Sequence, residues 1–198
     1  MKETVINEKI SYIACTDDPL SADIGIIRNG DTTWLYDVGS DERAISELTG
    51  SFHIVLSHFH RDHTGNIGML NVKESYVSRE TKRHVGTGTV VDTDLFIDGL
   101  HIFPLPSSHC SGCLGLEIDE TYAFVGDALY SKCKDGYYIF NAQLVKEEME
   151  ALKKLKAPFL LVSHHKGMVR RRDEVIAELE ALYHCRDKNS REIKIKQG

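Results

Sequence analysis

The stretch Ser57–Asn66, SHFHRDHTGN, puts three histidines and an aspartate into the six positions from His58 to His63. Building a core does not call for that composition, because imidazole and carboxylate groups are costly to bury unless each finds a partner. The run before it, FHIVLS, is β-branched and apolar and reads as a strand that ends at His58. Residues two apart share a face of an extended backbone, so His58 and His60 can reach one ion. Asp62 and His63 follow where the chain turns ahead of TGN, and can serve a second position nearby. Imidazole suits zinc and iron, and a carboxylate adds the negative charge that a dication needs in a partly dry cleft.

Working outward, two other apolar runs end in the same way: YAFVG leads into Asp127 and FLLVS leads into His164. In α/β sheets, ligands and catalytic groups collect at the carboxyl ends of strands. Further strands are expected at ISYIAC, IGIIRN, TTWLYDVG, ESYVS, DLFIDGLHIFPLP and GLEID, most of them bounded by Gly, Asn, Asp or Pro. Two later segments have helical period. In 141–157 the residues Leu144, Val145, Met149, Leu152 and Leu155 recur at helical spacing, and in 172–185 Val175, Ile176, Leu179, Leu182 and Tyr183 do the same. Pro158 stops the first of these helices. The charged tail from about 187 is either a frayed end or a short edge strand through Ile193 and Ile195.

The 198 residues, 41% hydrophobic and 27% charged, suit one soluble globular domain spanning 1–198. A net charge of −6 argues against broad adhesion to nucleic acid or anionic lipid, and no stretch is apolar for the length of a membrane span. The first fifteen residues have no uninterrupted apolar segment and no small-residue cleavage site. Five cysteines in such a chain predict reduced thiols and a cytoplasmic location, with a mature secreted chain stripped of its signal as the alternative.

The segment HFHRDH resembles the His-x-His-x-Asp-His signature of the metallo-β-lactamase superfamily. WLYDVGS, LPSSHCSGCLGLEI, AFVGDALY and LLVSHHKG resemble four further segments of that superfamily, and all five stand in its order. The resemblance implies an α/β fold, a four-layer αββα sandwich of two mixed β-sheets flanked by helices. It implies two divalent metal ions, zinc first, with iron and manganese as alternatives. His58, His60 and His109 would hold one ion; Asp62, His63 and His164 would hold the other; Asp127 would bridge them, and Asp37 would orient ligands from behind. Asp62 and Asp127 would also orient the nucleophile or move its proton. His165 is the alternative to His164 as the last ligand, and His53, His84, His101 and His184 match no motif.

Asp127 stands where many true β-lactamases of the superfamily have cysteine or serine, whereas its thioesterase, lactonase and phosphodiesterase branches keep Asp. The resemblance therefore implies a glyoxalase II-like hydrolase of small acyl or phosphate esters. Tyr130, Lys132, Lys166 and Arg170 follow the site segments and offer contacts to an anionic substrate. Two other classes stay open: a mononuclear-iron persulfide dioxygenase and a noncatalytic metal-stabilised binding module. Cys110 and Cys113 form a Cys-x-x-Cys beside His109, which reads as chance placement, a redox pair or half of a zinc site.

Overall fold

Alternating apolar side chains sort the strands into two sheets and give the molecule three apolar interfaces. The computed structural model describes residues 1–197. One mixed sheet runs in the order Glu3–Val5, Ile10–Ile13, Ile24–Asn29, Thr32–Tyr36, Phe52–Val55, Val72–Val77, Thr89–Val90, and its last four strands are parallel. The other runs Leu95–Ile97, Leu100–Leu105, Cys113–Ile118, Tyr122–Gly126, Phe159–Val162, Val169–Arg171, with Tyr122–Gly126 and Phe159–Val162 parallel and the remaining neighbours antiparallel. Along Thr32–Tyr36, Trp34 and Tyr36 point between the sheets while Leu35 points outward. Along Tyr122–Gly126, Phe124 points between the sheets while Ala123 and Val125 point outward. This period of two is what a strand covered on both faces requires.

Helices close the outer faces. Ala44 and Ile45 of helix Glu42–Ile45 pack on the first sheet through Leu35, Ile54 and Val77. Helices Ala142–Lys154 and Arg172–His184 cover the second sheet through Val145, Met149, Leu152, Val175 and Leu179. Asn141 caps the longer-buried of the two by accepting from the Gln143 and Leu144 amides at 3.0 and 3.2 Å. The four layers expected from the sequence are therefore present, and both periodic segments are helical over most of their length.

Other elements differ from the sequence reading. DLFIDGLHIFPLP is two strands, because Asp98 and Gly99 take positive φ of 51° and 77° and fold the run into a hairpin. Helix Arg79–Val85 has too few turns to show a period, and is fixed instead by its cap, Ser78 accepting from the Thr81 amide at 3.1 Å. Residues Lys132–Lys134 and Tyr137–Asn141 form an unforeseen hairpin, and the tail strand Glu192–Lys196 pairs with it to make a small third sheet. Of the two readings of the tail, the strand is the one that forms.

One residue on the inner face of helix Ala142–Lys154 breaks the pattern. Glu148 is 1% exposed, and its Oε1 has no hydrogen-bond partner among the described residues. Burial alone pushes its pKa well above the ordinary 4.5. The folded state then keeps a proton that the unfolded chain releases, so stability falls as pH climbs above about 4.5. Glu148→Gln is expected to leave stability nearly unchanged at pH 4 and to raise it by about 1–3 kcal/mol near pH 8, read by urea unfolding across that range.

Candidate metal centre

Every polar residue singled out at a strand end lies at the same edge of the sandwich, where the carboxyl ends of the central strands of both sheets meet. Asp37 follows Thr32–Tyr36, His58 follows Phe52–Val55, His109 follows Leu100–Leu105, Asp127 follows Tyr122–Gly126, and His164 follows Phe159–Val162. His60 precedes, and Asp62 and His63 lie within, the single-turn helix Arg61–Thr64. That helix swings the second pair of side chains away from the first.

The donors gather in two groups. His58, His60 and His109 converge, with His60 Nδ1 at 3.0 Å from both His58 Nε2 and His109 Nε2; Cys110 Sγ belongs to the same cluster, whose donor atoms all lie within 4.8 Å of one another. Asp62, His63, Asp127 and His164 make the second group. Between the two stands Asp127 Oδ2, 3.3 Å from His63 Nε2, 3.6 Å from His109 Nε2 and 3.9 Å from His164 Nε2. His164 Nε2 is also 3.2 Å from Asp62 Oδ2, whereas His165 is exposed and joins neither group. Of the two adjacent histidines, His164 is the one that faces the centre.

The electrostatics fit a cation. Burial, reinforced by the neighbouring histidines, pushes the His58 pKa far below its ordinary value. Burial lowers those of His60 and His109 as well, so three neutral imidazoles face one another with lone pairs to offer. Burial alone would raise the Asp62 carboxyl, but the hydrogen bond from His164 and the charge of His63 outweigh it and hold it below the usual carboxylate range. Asp127 is held low in the same way, against burial, by His63, His164 and His109. Burial opposes the charging of His63, yet Asp37 and Asp127 together push its pKa well upward. Asp127 Oδ1 is buried and has no hydrogen-bond partner among the described residues, and His63 Nε2 approaches two carboxylates without hydrogen-bond geometry to either. Nitrogen and carboxylate donors left this way match what a divalent ion takes, and explain an otherwise costly set of unmatched polar atoms.

Asp37 sits behind the centre as expected for an orienting group. It is fully buried, and its Oδ2 accepts from His63 Nδ1 at 2.7 Å, which turns His63 Nε2 toward Asp127. Two further positioning residues carry no signal in the sequence. Ser57 donates its amide to Asp37 Oδ1 and its hydroxyl to Asp37 Oδ2, both at 2.7 Å, and its Oγ lies 2.9 Å from His58 Nδ1. Asp23, buried before strand Ile24–Asn29, accepts from the His164 amide at 2.8 Å and the Cys15 amide at 3.1 Å. It holds His164 at a positive φ of 57°. Aspartate at a strand start is common, and only the folded chain reveals its partner 141 residues away.

The expected substrate contacts divide. Tyr130 donates its hydroxyl to the Ser163 carbonyl at 2.7 Å, and Arg170 pairs with Glu178 at 2.5 Å, so both have structural partners. Lys166 is exposed and outside the cleft beside the centre. Lys132 does line that cleft. It has a volume of about 690 Å³, with His60 and His109 on one side and, on the other, Ser131 with Lys132, Cys133, Lys134, Ile139 and Glu192 of the third sheet. His53 stacks on Trp34, His84 on Phe59 and His101 on Phe96, and none of them joins a donor group. Among the described residues no helix is long and apolar enough to cross a membrane.

No family model and no curated protein matches the sequence, so likeness to known proteins is carried by structure. The DIM-1 metallo-beta-lactamase superposes with a TM-score of 0.74 at 14% identity, covering 92% of this chain and 96% of that one. A metallo-beta-lactamase from Hirschia baltica gives 0.66 at 16% identity over 92% and 97% of the two chains. An archaeal metallo-beta-lactamase superfamily protein from Sulfolobus tokodaii gives 0.62 at 14% identity over 93% and 90%. Near-complete coverage in both directions establishes that this chain has the metallo-β-lactamase fold.

Proposed function

We propose that this chain is a metal-dependent hydrolase holding a pair of divalent ions, zinc first among them, and that it cleaves a small anionic acyl ester, thioester, lactone or phosphate ester. One observation carries the reading: a single carboxylate oxygen, Asp127 Oδ2, stands between two groups of donors contributed by four strand ends. The names borne by the solved structures of like fold support hydrolysis in general. Aspartate at 127, where the true β-lactamases of the resemblance often carry cysteine or serine, supports an ester over a β-lactam.

Ions held there supply Lewis acidity, which brings the pKa of a water toward neutrality and polarises a carbonyl or phosphoryl oxygen. His58, His60 and His109 would hold one ion and Asp62, His63 and His164 the other, with Asp127 available to both. Asp62 Oδ2, ionised at neutral pH, accepts the proton that the attacking water gives up. Asp37 fixes the tautomer of His63 by taking its Nδ1 proton. No serine or cysteine nucleophile is needed. In the cleft, Lys132 and Lys134 stand opposite His60 and His109, with Glu192 among the lining residues, and their ammonium groups would receive a substrate carboxylate or phosphate.

Three outcomes test this. Hydrolysis of a panel of thioesters, lactones and phosphodiesters should vanish after chelation and return with added zinc; turnover that survives exhaustive chelation would refute it. Asp37→Asn should weaken zinc affinity about 10- to 100-fold in a competition titration while the chain stays folded. Lys132→Ala should raise KM about five- to tenfold for an anionic substrate, with kcat and the KM of a neutral analogue unchanged.

A further inference from the structure

Beside the three-histidine group lie two thiols that hydrolysis does not use. Cys110 and Cys113 are both free and buried, and their Sγ atoms are 3.5 Å apart. Gly112, between them, takes a φ of +77° and lies so close to Ser78 that a Cβ would meet its Oγ at 2.6 Å, so the turn that brings the thiols together is built for glycine. Glu148, with its unpartnered oxygen, is buried on helix Ala142–Lys154, whose inner face joins the same apolar cluster as both thiols. Cys110 lines a second cleft of about 410 Å³, together with Ser108, Lys132 and Asn141, and Cys113 lines a separate one of about 310 Å³ with Ser78 and Pro104. A small reagent can approach either thiol, and Cys110 is the more exposed of the two, at 7% against 3%.

We propose that Cys110 and Cys113 are a reversible dithiol–disulfide couple that governs the three-histidine group: reduced, Cys110 Sγ adds a donor to that group beside the shared Asp127; oxidised, it is withdrawn. The oxidant is a low-molecular-weight disulfide, RSSR. The Cys110 thiolate attacks one of its sulfurs, forming Cys110–S–S–R and releasing RS⁻, which takes up the proton that left Cys110. Cys113 then attacks Cys110 Sγ, the bond to SR breaks, and the second RS⁻ leaves with the Cys113 proton. Two protein thiols lose two electrons, and one RSSR becomes two RSH.

The consequence for the donors follows from bond lengths. A disulfide holds its sulfurs at about 2.05 Å, so the pair must close by roughly 1.5 Å from the present separation. Cys113 sits in strand Cys113–Ile118, hydrogen-bonded to its neighbours, and Cys110 sits in a loop, so Cys110 makes most of the movement. Its sulfur leaves the histidine nitrogens, and His109, one peptide bond away, moves with it. The gating half of this proposal rests on the reading that the histidines hold an ion.

The test uses the full chain, equilibrated without oxygen in glutathione and glutathione disulfide at varied ratio, then quenched with acid, alkylated and mapped by mass spectrometry. A Cys110–Cys113 disulfide should form reversibly, and Cys113→Ser should instead accumulate glutathione on Cys110. In parallel, cobalt(II) titration of the reduced chain should give a thiolate-to-cobalt charge-transfer band. The band should be missing in Cys110→Ser and in the oxidised chain, with cobalt affinity lowered about tenfold or more. Absence of the disulfide at every ratio, with cobalt still bound, overturns the couple alone. A disulfide that leaves cobalt spectrum and affinity unchanged overturns the gating. Failure of both the reduced and the oxidised forms to bind cobalt or zinc overturns the metal reading itself.

Discussion

A carboxylate with no exposure to solvent governs the geometry of this molecule. Asp37 is tolerable in its position only because its oxygens are taken up: Oδ1 by the Ser57 amide, Oδ2 by the Ser57 hydroxyl and His63 Nδ1, each at 2.7 Å. These contacts bind the end of one central strand to the end of its parallel neighbour and to the helical turn beyond it. The loop carrying His58, His60, Asp62 and His63 is left with little freedom. Its side chains are aimed before any ion arrives, which is what a tight and selective centre needs.

The same few residues register the second sheet against the first. Tyr36 donates its hydroxyl to the Leu114 carbonyl at 2.7 Å, and Leu114 donates its amide to the Ser57 carbonyl at 2.8 Å. Tyr36 and Ser57 flank the Asp37 network, so the sandwich is locked across its interior at the edge where the donors lie. Sharp bends then turn the chain back over that edge. Asp37, Gly126 and His164 take φ of 60°, 54° and 57°, in the left-handed region just after a strand. Such conformations cost about 1–3 kcal/mol for a non-glycine residue and persist where surrounding bonds over-determine them. Asp23 does this for His164, and at Gly126 a side chain would collide with Ser57, whose Cβ would lie 2.8 Å away.

Much of this was legible in the residues. Short β-branched and apolar runs bounded by turn residues disclosed the central strands, because a strand covered on both faces reads as a nearly continuous apolar stretch, and helical spacing disclosed Ala142–Lys154 and Arg172–His184. The donor types stood directly after those strands, so their meeting at one edge followed from the sheet rule. What escaped was whatever local pattern does not encode. The Lys132–Asn141 hairpin carries charges and tyrosines along with its turn, and finds its partner only in the distant tail strand. Asp23 and Ser57 are ordinary polar residues until the fold brings His164 and Asp37 to them. Tyr130 and Arg170 lie near the centre in sequence, but hydrogen bonding to Ser163 and pairing with Glu178 decide their direction.

Departures from sound core construction are themselves informative. Helix Ala142–Lys154 would bury its inner face more favourably with leucine at position 148, since a lone carboxyl there must stay protonated or destabilise the fold. Asp127 Oδ1 and His63 Nε2 likewise stand without hydrogen-bond partners in a buried setting. Natural chains depart from good local construction chiefly at functional or strained sites. Two of these departures lie in the donor groups, where unmatched nitrogen and carboxylate atoms converge and match what a divalent ion takes. Trp34 Nε1, the His53 ring and Glu148 are unpartnered as well, but none of them belongs to a donor group.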